Sequence, residues 1–209
     1  MNNNINNYLN ENFPKTIRYN PNDEGTLIGL PYRYTVPCAS DMFQEMYYWD
    51  TYFTNAGLLA LGNIELAKNN VDNMLYLIDK YGYMPNGNRL GYLGRSQPPF
   101  LSQMIREIYE LIGDNEWLSR AYNTLKKEYA FWQEKKLLDN GLNSYKGYEY
   151  IPENVDATVK YGLSRMGYKP EVLTDDIKKT IYDAILSFCE SGWDCNSRFL
   201  EKPHEFNWV

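Results

Sequence analysis

Between Asn63 and Gly82 the apolar residues Ile64, Ala67, Val71, Met74, Leu75 and Ile78 recur at helical spacing. The glycine stands where a helix ends in a left-handed residue. This period constrains the fold most, because it recurs along the chain and no segment shows the clear alternation of a half-buried strand. A stretch from about Asp41 to Leu61 is helical and apolar on most sides. Gln97-Pro98-Pro99 opens a third helix, since proline is tolerated in a first turn, and Gly113 closes it after Ile112. Asp114 or Asn115 caps a fourth, from Glu116 to about Lys136, with Trp117, Tyr122, Leu125, Tyr129 and Trp132 partly on one face. Thr174 caps a fifth, with Ile177, Ile181, Ile185 and Phe188 at helical steps and Gly192 at its end. Residues 1–37 read as an irregular arm punctuated by Pro, Asn and Gly, and residues 139–170 as loop with room for one short helix. The class is therefore all-α. Long loops rich in Gly and aromatics alternate with short ones, which predicts helical hairpins stacked into a toroid with one working face. Five helices are too few to close such a ring, so the chain is expected to be the first part of a longer protein.

With 209 residues the chain is long enough for one domain with a real core. A net charge of −6 and 21 scattered basic residues argue against nucleic acid or anionic membrane as a main partner. No apolar run approaches the roughly 18 residues of a membrane span. The N-terminus, MNNNINNYLNENFPK, has no apolar signal region, so a cytoplasmic protein is expected. Three cysteines, Cys38, Cys189 and Cys195, form no disulfide framework, and none has metal-type spacing to another Cys or to the one histidine, His204. Reduced thiols, no metal and no cofactor are the expectation. Aromatics make up 16% of the chain, including 20 Tyr and 5 Trp, a composition that suits sugar rings with apolar faces and equally suits an aromatic core.

One histidine and no strained serine turn leave no room for a Ser/His or Cys/His triad, and no phosphate-cradling loop is present. What remains is carboxylates beside aromatics, the equipment of glycosidic bond cleavage. Asp194 in ESGWDCNSR falls just past a helix end, where the carbonyl field and Trp193 both disfavour an ionised carboxylate and suit it to general acid work. The competing reading is that Asp194 only caps the next turn. Asp50, after Tyr47-Tyr48-Trp49 in an apolar helix, either binds sugar hydroxyls or ties to a buried Arg. Arg95-Ser96-Gln97 either crowds a pocket or caps a helix.

Three stretches, EMYYWDTYF (45–53), NMLYLIDKYGYMPNGNRLGYLGRSQPPF (73–100) and ESGWDCNSRF (190–199), resemble the trehalases of glycoside hydrolase family 37 in order and spacing. The resemblance covers roughly residues 30–200. It implies an (α/α)6 barrel, of which residues 38–209 would be the N-terminal part of the catalytic domain and only about the first half of the toroid. It implies inverting hydrolysis of α,α-trehalose to glucose, with a small carbohydrate as the partner. Carried over residue by residue, it makes Asp194 the general acid. Trp49, Asp50, Asn86, Arg95, Ser96 and Gln97 become substrate contacts, as does Glu153 of Ile151-Pro152-Glu153, and Gly192 the glycine of close approach to the sugar.

Three departures accompany it. Met42 and Ile151 stand where the family has arginines, which removes two fork-like donors. The base carboxylate, expected roughly 6.5–9.5 Å from the acid, has no match in this chain. The chain alone is therefore expected to be inactive. Two alternatives stay open: a related (α/α)6 glucosidase acting on another oligosaccharide, and an inactive sugar-binding remnant.

Overall fold

The computed structural model of the protein describes residues 3–165, 173–194, 200–202 and 205–208. Cys195, His204 and the last five residues of the ESGWDCNSRF stretch lie outside them. Seven α-helices occur among the described residues: α1 (Asn3–Asn12), α2 (Tyr48–Ala60), α3 (Ile64–Tyr81), α4 (Leu101–Ile112), α5 (Asn115–Lys135), α6 (Pro152–Arg165) and α7 (Asp175–Ser191). They are accompanied by two small antiparallel ribbons, β1 (Ile17–Arg18) with β2 (Tyr34–Thr35) and β3 (Leu200–Lys202) with β4 (Glu205–Trp208).

Helices α2 to α7 form three successive hairpins. α2 packs on α3, α4 on α5 and α6 on α7. Across hairpins α2 meets α4 and α3 meets α5, which gives an inner and an outer layer. The result is a partial all-α toroid. Because the hairpins are antiparallel, the starts of α2, α4 and α6 lie at the same end as the finishes of α3, α5 and α7. That end carries the long loops.

The helix boundaries follow local chemistry. Gly82, Gly113 and Gly192 close α3, α4 and α7 in the left-handed region, at φ 83°, 63° and 75°. Asp114 caps α5 by accepting from the Trp117 N–H at 2.9 Å, and Thr174 caps α7 by accepting from Ile177 N–H at 3.3 Å. Asn63 occupies the cap position of α3, but its side chain makes no capping bond.

Four elements differ from the sequence reading. α2 starts at Tyr48 rather than near Asp41, because the preceding residues pair with the 86–88 loop. Met46 N–H donates to Asn88 Oδ1 at 2.8 Å, and Tyr48 N–H donates to the Asn86 carbonyl at 3.1 Å. α4 starts at Leu101, two residues past the prolines. α6 is a full helix of 14 residues where loop with room for one short helix was expected. Its Val155, Val159 and Leu163 recur every four residues and pack with Ile181, Tyr182 and Ile185 of α7, so tertiary burial supplies what valine-poor helix propensity lacks. Finally, the arm of residues 1–37 holds α1 and the β1–β2 ribbon. Ile5 and Tyr8 of α1 are exposed, so packing does not account for that helix.

The main core joins α2 to α5 through Leu58, Val71, Met74, Met104, Ile108 and Trp117. Ile28, Leu30, Tyr34 and Val36 of the first segment enter the same core. They are tied there by buried asparagines. Asn70 accepts from Thr35 N–H at 3.0 Å and donates to Thr35 Oγ1 at 2.9 Å and to Asn55 Oδ1 at 2.8 Å. Asn73 brackets Tyr32 in the same way.

Candidate active site

A cavity of about 600 Å³ opens at the loop end of the hairpins. Trp49 and Asp50 reach it from the first turn of α2, Asn86, Tyr92, Arg95 and Gln97 from the α3–α4 loop, and Gly192, Trp193 and Asp194 from the end of α7. α6 contributes Asn154, Thr158 and Tyr161. Such a volume and such a mixture of aromatic faces with a few convergent polar groups suit a small polar ligand.

Asn86 is the hub of the wall. Its N–H donates to the Arg95 carbonyl at 3.0 Å and its carbonyl accepts from Tyr48 N–H at 3.1 Å. Its carboxamide donates to the carbonyls of Ser96 at 3.2 Å and Cys189 at 3.3 Å. One buried residue, through its backbone and its side chain, thereby joins the start of α2, the 95–97 segment and the end of α7. Gln97 Oε1 accepts from Trp49 N–H at 3.2 Å, one of the orphan donors of the first turn of α2.

Arg95 is buried with its guanidinium 5.0 Å from the Tyr92 ring centroid, and it donates to the Gly91 carbonyl at 3.3 Å. Its Nε is buried and has no hydrogen-bond partner among the described residues. A buried unsatisfied cationic donor is costly, and a ligand acceptor in the cavity would offset that cost. Asp50 is half-buried, and desolvation raises its carboxyl above the usual carboxylate range.

At Gly192 a Cβ would lie 2.5 Å from Cζ2 of Trp49. The close approach at this glycine is therefore to the Trp49 indole, in addition to its place on the cavity wall. Trp193 is 47% exposed, and Asp194 is exposed at the cavity mouth.

Of the residues singled out in the sequence, Trp49, Asp50, Asn86, Arg95, Gln97, Gly192 and Asp194 come together on this cavity. Ser96 does not line it. It is fully buried behind the wall, donating from Oγ to the Met84 carbonyl at 2.6 Å and from its N–H to Glu190 Oε1 at 2.6 Å. Glu153 is exposed in the first turn of α6 and does not line the cavity either, whereas its neighbour Asn154 does. Met42 is 55% exposed and outside the wall, while the adjacent Phe43, held at φ 54°, lines it.

Sequence reasoning missed Tyr47 and Tyr92, whose hydroxyls meet at 2.8 Å on the cavity wall, with Tyr47 also donating to Glu45 at 2.8 Å. It also missed Glu190, although that residue sits in the same short motif as Asp194. Among the described residues no His/Cys/Asp/Glu cluster could hold a metal ion, and no helix is long and apolar enough to cross a membrane.

A partial α-toroid with a carboxylate-bearing, aromatic cavity at its loop end is the architecture of the (α/α) barrel class. The chain matches the family model Trehalase over residues 1–208 and belongs to that family. A probable trehalase of Oryza sativa subsp. japonica is 36% identical over 187 residues, covering 85% of this chain and 32% of the relative. A periplasmic trehalase of Xanthomonas campestris pv. campestris (strain B100) is 35% identical over 202 residues, covering 90% of this chain and 34% of the relative. Among solved structures, neutral trehalase Nth1 from Saccharomyces cerevisiae superposes with a TM-score of 0.63 at 28% identity, over 88% of this chain and 37% of that one. The chain thus spans about a third of the length of the curated relatives it matches.

These relatives overturn one expectation. Relatives in Xanthomonas campestris and Escherichia coli are named periplasmic trehalases, which points away from the cytoplasm. The polar N-terminus on which the cytoplasmic expectation rested does not decide the compartment.

Proposed function

We propose that this chain carries the acid-bearing side of an inverting α,α-trehalase site, with trehalose as the small carbohydrate substrate. The observation that carries the reading is the convergence of Trp49, Asp50, Asn86, Arg95, Gln97, Gly192 and Asp194, from separate segments of the chain, on one cavity of about 600 Å³. In this reading Asp194 protonates the glycosidic oxygen as the bond to the anomeric carbon breaks. Trp49 offers its face to a glucose ring, and Asp50 and Gln97 hold ring hydroxyls. Arg95 uses the Nε that has no hydrogen-bond partner among the described residues. Asn86 acts within the wall, holding the segments in register.

Inversion needs a second carboxylate to draw a proton from water on the opposite face of the ring. Among the described residues the cavity holds two acids, Asp50 and Asp194. Asp50 follows Trp49 in the first turn of α2 and is read as a sugar ligand. The base is assigned to the part of the family fold that this chain does not span.

A second reading is favoured by one observation. Neither Met42 nor Ile151, at the two positions where the resemblance expects arginine, lines the cavity, and among the described residues Arg95 is the one guanidinium that does. A related glucoside with fewer hydroxyl contacts would then be the substrate.

The deciding experiment is proton NMR of the products released by the protein encoded by the natural gene. Inversion at one of two α-linked rings gives one β-glucose and one α-glucose from each trehalose. Equal amounts of both anomers at early times support the reading. Hydrolysis of other glucosides with none of trehalose would move the assignment to the second reading, and binding without turnover of any would leave a sugar-binding protein.

A further inference from the structure

The ion pair between Lys136 and Glu190 lies behind the cavity, yet it is bonded to the cavity wall. Lys136 ends α5 and Glu190 sits in the last turn of α7, and both side chains are fully buried. Lys136 Nζ lies 2.7 Å from each carboxylate oxygen of Glu190 and also donates to the Lys146 carbonyl. The rings of Phe131, Trp132 and Tyr148 surround it, with centroids at 5.4, 5.8 and 5.7 Å. Glu190 Oε1 accepts a further bond, at 2.6 Å, from the backbone N–H of Ser96.

Ser96 separates the two cavity donors Arg95 and Gln97. Its carbonyl accepts from Asn86, which also donates to the carbonyl of Cys189. The Arg95–Gln97 segment is thus fastened twice to the last turn of α7, directly through Glu190 and indirectly through Asn86. That turn runs straight into Gly192 and Asp194.

A buried ion pair is a poor source of stability, because the cost of desolvating two charges offsets most of their attraction. Apolar side chains could fill the same space at similar stability. They could not accept a bond from the Ser96 N–H. The arrangement specifies geometry rather than strength. We propose that Glu190, held in place by Lys136, is the positioning residue that fixes the Arg95 and Gln97 donors relative to Asp194. The proposal rests on reading this cavity as the sugar site.

The test uses the protein encoded by the natural gene in three forms: wild type, K136M/E190Q and K136M/E190L. Both double variants remove the two charges together, so neither strands a lone buried ion. Glutamine keeps an acceptor for the Ser96 N–H and leucine does not. Two readouts are taken: kcat and KM on trehalose, and deuterium exchange of the Ser96 amide. The glutamine variant is expected to melt near wild type, and the leucine variant below it because the buried Ser96 N–H is left without an acceptor. The glutamine form retains kcat/KM within about threefold, while the leucine form loses about 30- to 100-fold, the scale of an ångström-sized misplacement of substrate-holding groups. Its Ser96 amide also exchanges faster. If the leucine form does not fold, K136M/E190M makes the same comparison with a more adaptable side chain.

A leucine form with wild-type kcat/KM and wild-type Ser96 protection overturns the proposal. A wild-type protein without trehalose turnover, whose Ser96 protection nevertheless depends on the acceptor at 190, sinks the trehalase reading and upholds the positioning role.

Discussion

Gly192 and Trp49 are in contact, and the contact leaves no room for a side chain on the glycine. A Cβ there would stand 2.5 Å from Cζ2 and 2.8 Å from Cε2 of the indole. The same glycine sits at φ 75°, where it closes α7. Two independent requirements, a left-handed backbone and a missing Cβ, meet at the residue that precedes Trp193 and Asp194.

Gly192→Ala is therefore expected to act twice. The left-handed backbone alone costs about 1–2 kcal/mol for an L-residue. The methyl group also pushes the Trp49 indole off its position on the cavity wall. A lowered melting temperature together with a KM for trehalose raised about tenfold is the expected result. A variant that loses stability but keeps KM would mean that Trp49 does not hold the sugar.

Asp194→Asn tests the acid. Removing a general acid typically costs about 10²–10⁴ in rate, and an amide at an exposed position should leave folding untouched. We expect kcat to fall by that amount, with KM within a fewfold and an unchanged melting curve. A substrate with a leaving group that needs no proton, such as α-glucosyl fluoride, should recover most of the lost rate. Without such rescue, Asp194 is a turn-capping residue.

Glu128 gives the fold a pH dependence. It is buried against Tyr48, whose hydroxyl donates to it at 2.6 Å, and burial pushes its carboxyl up to about 7. The folded state then holds this proton more tightly than the unfolded chain does, so stability falls as pH rises from the unfolded carboxyl value of about 4.5 toward 7. The shift corresponds to about 3 kcal/mol across that window. Denaturant unfolding at pH 5 and pH 8 should show the loss in wild type. Glu128→Gln should flatten the slope, since glutamine still accepts from Tyr48 and carries no titrating proton. An unchanged slope would place the titration elsewhere.

Asn70 fastens the first segment of the chain to α3, with no exposed surface and three bonds to Thr35 and Asn55. Asn70→Leu leaves the buried Thr35 N–H and Asn55 Oδ1 unpaired. The expected cost is about 2–6 kcal/mol, from two unsatisfied buried groups at about 1–3 kcal/mol each. Limited proteolysis should then cut between residues 16 and 36 before it cuts α3. Cleavage spread evenly over the chain would mean that the segment is not held by this asparagine.

Much of this architecture is legible in the residues themselves. The glycines at 82, 113 and 192 and the caps at Asp114 and Thr174 mark helix ends by backbone requirements that no distant contact alters. Three features are illegible for a common reason: each depends on a partner far along the chain. The start of α2 is set by hydrogen bonds to residues 86 and 88. α6 owes its helicity to burial against α7. Ser96 looks like a ligand contact in a polar triplet, and only its bond to Glu190, 94 residues away, turns it into a support. At the site, Trp49, Asp50 and Asp194 announce themselves as acids beside aromatics, while Tyr47 and Tyr92 are two among 20 tyrosines, and nothing local distinguishes them.

Gly162 marks a close approach of α6 to α7. A Cβ at this position would lie 2.3 Å from Cδ1 and 2.8 Å from Cγ1 of Ile185, whose side chain also lines the cavity. Gly162→Ala brings an opposing pair of effects. Alanine is the better helix former by about 1 kcal/mol, but the methyl group overpacks the interface at a cost of about 1–3 kcal/mol. Because the nearest atoms belong to a side chain, the clash can be relieved by trimming it. Gly162→Ala alone should therefore destabilise, Ile185→Val alone should destabilise by about 1 kcal/mol, and the two together should be more stable than their sum predicts. A coupling of about 1 kcal/mol or more in that double-mutant cycle is expected for groups in direct contact. Strict additivity would separate α6 from α7 at this level, and with it the face of α6 that brings Asn154, Thr158 and Tyr161 to the cavity.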